Sequence, residues 1–267
     1  MTRDRKGFTL VELIVVAVLG SMLLMVIVQT LLTNQRTYTA QGAKIQGQQA
    51  LRSAVDVLFN EIREISAQGG DIVSMSSSQI TVRSMRKFGV VCSVTSASPP
   101  VLRVTQVGEW FEVGDSVFAF ADNLTSIASD DDWIPARITA VDTTANCGAS
   151  RAQNLSFTGQ AALFTADSVR VGAPVRSYVR YTYGLMSFAG KSYLGRTGSS
   201  GATAPMVGPL EASTGLRFAY LDSLGATTTV AGDVRQVRIT VRTSADVMNS
   251  VGRMISDSIT VLAYTRN

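Results

Sequence analysis

The sequence predicts an α+β chain in which one long N-terminal helix is laid on an antiparallel β-sheet head. Three observations predict it. Phe8 to Leu32 is apolar except for Glu12, a few hydroxyls and Gln29. Apolar residues then recur at helical spacing as far as Ile65, and from Asp71 onward their period changes to two.

The apolar run comes first. About 20 helical residues cross a hydrocarbon core of ~30 Å, so Phe8 to Leu32 reads as a membrane-spanning helix. It exceeds the roughly 7–15 residues of a secretory h-region, and no Ala-x-Ala site closes it. Arg3, Arg5 and Lys6 against Asp4 place half of the net charge of +4 ahead of the run. That bias puts the N-terminus in the cytoplasm and everything after Leu32 outside. The charge left over is a poor indicator of nucleic acid, which is not an expected partner, although composition alone does not exclude it. A carboxylate inside a span is costly, and Glu12 therefore marks a function.

At these residues the chain resembles a known family. A short basic leader ending in Gly7, then Phe8, then Glu12 four positions on, resembles the type IV prepilins, which include type IV pilins and type II secretion pseudopilins. The resemblance implies a pilin-like fold and cleavage between Gly7 and Phe8 by a prepilin peptidase. It implies N-methylation of Phe8, storage in the inner membrane with a periplasmic head, and an extracellular position in the filament. It makes Glu12 an assembly residue and other pilins or pseudopilins the partners of the helix. Many major pilins carry a kinking proline late in the span; here none occurs from Phe8 to Pro99, which favours a minor subunit or pseudopilin. Gln35-Arg36-Thr37-Tyr38, Gln48-Gln49-Ala50-Leu51-Arg52 and Glu61-Ile62-Arg63 resemble the PilW-type minor pilins. The implied function is that of a structural minor subunit of a type IV pilus, acting in filament assembly. The alternatives are a type II secretion pseudopilin and a tip-located module on the same anchor that binds a surface or DNA.

The helix continues beyond the membrane. Leu51, Val55, Leu58, Ile62 and Ile65 alternate spacings of four and three, one stripe of an amphipathic helix, and Gly69-Gly70 is the expected stop. Between span and stripe, Gln35 to Gln49 is polar with glycines at 42 and 47, so local stability should be lowest there. The expected divisions are a leader at 1–7, the span at 8–32, its amphipathic continuation at 33–67 and the head at 68–267, with 99–159 as an inserted β-subdomain.

In the head, Gln79 to Met85 and Gly89 to Thr95 read as a hairpin turning at Arg86-Lys87-Phe88. Leu102 to Val107, Asp115 to Phe120, Ile134 to Val141 and Leu155 to Phe157 read as short strands of a small barrel or meander. Val175, Val179, Tyr181 and Tyr183 alternate with Arg176, Tyr178 and Arg180. Gly190 to Gly208 reads as an exposed loop. Leu216 to Leu221, Val234 to Thr243 and Ile259 to Tyr264 should complete the sheet, with Val237, Ile239 and Val241 inward.

Chemistry is sparse. Histidine is absent, which removes the commonest general base and the usual zinc ligand, and no nucleophile elbow or phosphate loop occurs. The chain reads as a non-enzyme without a cofactor. Cys92 and Cys147 lie on the outer side, where disulfides persist, and a bridge is expected. Asp130, Asp131 and Asp132, near Asp122 and Asn123, offer oxygen ligands for calcium. They lack EF-hand spacing, and a solvated acidic loop is the stronger reading. Arg235, Arg238 and Arg242, with Arg176 and Arg180, form a candidate basic strip, or simply the wet face of a half-buried sheet.

Overall fold

A computed structural model describes residues 9–95, 101–122, 131–159, 168–248 and 252–266. The chain is α+β. Helix α1, Leu10–Glu64, runs unbroken for 55 residues, about 80 Å at 1.5 Å per residue. It ends before the two glycines. Asp71 Oδ2 accepts the Ser66 N–H at 2.8 Å and Ser66 Oγ accepts the Gly69 N–H at 3.1 Å. These bonds draw residues 66–70 into a tight turn, and Gly70 closes it at φ +73°.

Among the described residues thirteen strands follow: β1 Ile72–Met75, β2 Gln79–Val94, β3 Leu102–Val107, β4 Ser116–Ala121, β5 Asp132–Asp142, β6 Asn146–Cys147, β7 Ser150–Gly159, β8 Pro174–Phe188, β9 Lys191–Thr197, β10 Thr203–Leu210, β11 Leu216–Leu221, β12 Gln236–Met248 and β13 Met254–Tyr264. Ten of them share one sheet. Because β2 pairs with both β3 and β8, six strands close on themselves in the order β2-β3-β7-β5-β4-β8, every pair antiparallel. This barrel has its own core, built from Val91, Leu102, Val104, Phe111, Val117, Ile138, Leu155, Phe157 and Val175 among others.

A second core lies beside it. Leu51, Val55, Leu58, Ile62 and Ile65 are all buried there against Ile80, Val82, Tyr183, Leu194, Leu216, Val237, Ile239 and Val241. The helical stripe thus packs on β10, β12 and β13 and reaches β2. β11, β12 and β13 form a separate antiparallel sheet rather than extending the large one. Strands β2 and β8 are long enough to serve both cores, which join the barrel to the helix-bearing layer without a linker.

Two sequence expectations fail here. No hairpin turns at Arg86-Lys87-Phe88: β2 runs straight through, and the pairing with β8 only shifts register between Met85 and Phe88. None of the three has the positive φ or turn chemistry a reversal needs, so the surplus residue is absorbed as a bulge. Gly190 to Gly208 is not a loop either, since β9 and β10 pair as a hairpin within it. Its glycines make room instead. A Cβ at Gly195 would lie 2.7 Å from Met186 Cγ, and one at Gly208 would lie 2.5 Å from Tyr193 Cδ1.

Candidate functional site

Every large apolar side chain from Leu10 to Leu32 is exposed, from Leu10 at 76% to Leu32 at 49%. That half of α1 touches no other element, and it is long and apolar enough to cross a membrane. Free in water, so much apolar surface would associate at once; lipid or other helices must cover it. The head begins to shield the helix only around Ala40 and Ala43, and full burial starts at Ala50.

The start of the helix is built deliberately. Thr9 is its N-cap, extended at φ −80° and ψ 152°, and its side chain accepts the Glu12 N–H at 3.3 Å. Glu12 is therefore in the first turn, where the unpaired N–H groups and the helix dipole favour a negative charge. Sequence reasoning overlooked Thr9, although Thr-x-x-Glu before an apolar run is a readable capping signal. Gly7 and Phe8, the expected cleavage site, lie outside the described residues.

Cys92 on β2 and Cys147 on β6 are joined by a disulfide, with Cα atoms 6.1 Å apart. It ties the short β6–β7 hairpin to the barrel wall. Asp130 lies outside the described residues, while Asp131 and Asp132 are exposed, the latter opening β5. Among the described residues no group of three His, Cys, Asp or Glu could hold a metal ion.

The basic strip does not form one surface. Arg238 and Arg242 are exposed on β12, but Arg235 turns back to donate to the carbonyls of Gly232 and Val234. Arg180 sits on β8, in the other sheet. Arg176 is 3% exposed, and its Nη1 lies 2.7 Å from Oδ2 of Asp71, itself 1% exposed. Its guanidinium stacks 4.4 Å from the Trp133 ring centre and 5.0 Å from that of Phe118. Arg83 donates to the Gly70 carbonyl and lies 5.2 Å from the Phe118 ring. Two arginines thus clamp the turn at 66–71 against the barrel's aromatic residues, where α1, the sheet and the barrel meet.

The family described as the prokaryotic N-terminal methylation motif matches residues 2–28. No curated protein and no solved structure matches the chain. The matched segment takes in the basic leader, Thr9, Glu12 and most of the uncovered apolar helix. On that evidence, the N-terminus of this chain carries the signature of the type IV prepilins.

Proposed function

We propose that this protein is a structural minor subunit of a type IV pilus, held in the inner membrane with its head in the periplasm until it enters the filament. The supporting observation is the uncovered apolar half of α1 beneath the methylation motif. In this reading prepilin peptidase cuts between Gly7 and Phe8 and methylates the new amine of Phe8. The apolar helix then passes from lipid into a bundle of neighbouring pilin helices with little change in burial, so packing and polar groups set its register.

Glu12 is the polar group at issue. Near the end of the span its charge reaches the interface, and it costs less than the ~2.5–3.5 kcal/mol of a mid-membrane charge. Inside a bundle that escape closes, and an unpaired carboxylate becomes far more expensive. The positive amine of Phe8, on the same or a neighbouring subunit, supplies the partner. Two measurements test the reading together. Intact mass should show loss of Met1 to Gly7 and gain of one methyl. Glu12→Gln should insert and be cleaved normally yet enter filaments poorly; normal entry would remove the charge from the mechanism. A mature chain still starting at Met1 would end the pilin reading.

A further inference from the structure

We propose that the far end of the barrel carries a saccharide-binding cleft, formed between Trp110 on one side and the β5–β6–β7 turn on the other. Trp110, Thr143, Thr144, Asn146 and Arg151 line one open cleft of about 490 Å³. Trp110 is 37% exposed and follows β3 on a loop anchored at its far end. The next residue, Phe111, buries its ring in the barrel core. Its N–H donates to Gln153 Oε1 at 3.0 Å, and its carbonyl accepts Gln153 Nε2 at 3.0 Å. Gln153 is itself fully buried. A buried amide thus holds the backbone beside Trp110 in both directions, and the indole is partly open to solvent beside it.

The opposing wall is equally rigid. Asp142 accepts from the Thr144 N–H at 2.9 Å, the Thr144 hydroxyl at 2.7 Å and Asn154 Nδ2 at 3.1 Å. Arg103 Nε donates to Asn154 Oδ1 at 3.0 Å, and its Nη1 donates to the Asn146 carbonyl at 3.4 Å. Cys147, next to Asn146, is fixed to Cys92. The backbone of this wall and the Thr144 side chain are therefore held before any ligand arrives, which lowers the entropic cost of binding.

The chemistry selects the ligand class. One flat aromatic face suits the apolar C–H face of a pyranose ring. Two hydroxyls, an amide and a guanidinium around it supply the donors and acceptors that sugar hydroxyls need. Charge argues against nucleic acid. Arg103 and Arg151 are balanced by Glu109 and Asp142, so the cleft lacks the one-signed field that a phosphate backbone requires. Its position suits an exterior ligand, since no residue of α1 belongs to the barrel core or lines the cleft, and Glu61, which meets Ser84 and Arg86 of the barrel strand β2, lies in the last turn of the helix.

The test uses the full chain in a zwitterionic, sugar-free detergent, titrated calorimetrically with the trisaccharides of glucose, galactose and N-acetylglucosamine. Saturable binding of at least one is expected, weakened about tenfold or more by Trp110→Ala. Trp110→Tyr keeps a stacking face and should restore most of the affinity, which separates loss of the plate from loss of the fold. Failure to bind any of the three, or binding untouched by Trp110→Ala, would overturn the proposal. So would tighter, salt-sensitive binding of a single-stranded oligothymidylate. None of these outcomes depends on whether the chain enters filaments.

Discussion

Asp71 and Arg176 carry the largest electrostatic risk in the molecule. Both are buried, and Asp71 Oδ1 and Arg176 Nε find no hydrogen-bond partner among the described residues. The pair survives because Asp71 also takes the Ser66 N–H, and Arg176 donates to the Gly69 carbonyl and packs against two rings. Removing one member strands the other charge in low dielectric. Asp71→Asn keeps the volume and loses the charge, and should cost the head about 3–5 kcal/mol in chemical denaturation of the detergent-solubilised chain. A loss under ~1 kcal/mol would mean that the guanidinium is neutralised elsewhere. Pairing it with Arg176→Met removes the stranded charge as well and should recover much of the loss. Alternation along β8 puts Arg176 on a wet face, and that is where period-two reading fails. β8 passes there from the barrel into the helix-bearing layer, and both of its faces are covered. Asp71 gives no sequence signal either, because its partner lies 105 residues away.

At the scale of elements, α1 has one helical backbone and three environments. Leu51 to Ile65 is held by the head core, Leu10 to Leu32 is left for lipid or neighbouring helices, and Gln35 to Gln49 has almost no packing. A Cβ at Gly47 would lie 3.1 Å from Thr243 Oγ1, and Gln48 Nε2 reaches Asp257 Oδ2 at 3.3 Å. Backbone hydrogen bonds with so little side-chain cover open readily. Amide exchange in membrane-embedded protein should therefore be faster across 35–49 than across 51–65, and equal protection would show that packing does not govern opening here. The stripe and the strands β3, β5 and β12 were legible because each has one buried and one wet face. Glycine misled in the opposite sense at β9 and β10: its spacing suggested a loop, whereas Met186 and Tyr193 require the missing Cβ. The closure of the barrel was not legible, since it depends on which strands pair, and that is fixed by contacts remote in sequence. For the candidate cleft, Trp110 stands beside Gly108 and Glu109 with nothing local to single it out; only the barrel brings it opposite Asn146 and Arg151.

For the whole molecule, three buried or half-buried groups make stability fall in alkali. Burial, and next the nearby Glu61 carboxylate, raises the Tyr183 phenol well above its usual range. Burial alone raises Tyr220. Burial works to lower Lys87, but Asp115 and Glu112 outweigh it and the net direction is upward. Each group holds its proton more tightly folded than unfolded. The stability they contribute is thus complete below the unfolded values, near 10 for both residue types, and is lost as pH rises beyond them. Denaturation midpoints should be level from neutrality to about pH 10 and decline above it. A midpoint unchanged at about pH 11 would mean that these side chains ionise as readily in the fold as outside it. A last consequence concerns traction on the head. A coil joining barrel to helix layer would lengthen before transmitting any pull. Here β2 and β8 pass through both cores as paired strands. Extended strands already advance about 3.3 Å per residue, against a limit of roughly 3.3–3.6 Å for the chain itself. The junction has little slack to give beyond the one-residue bulge in β2, so a tug on the barrel arrives at the root of α1 almost undiminished, as through a taut cable.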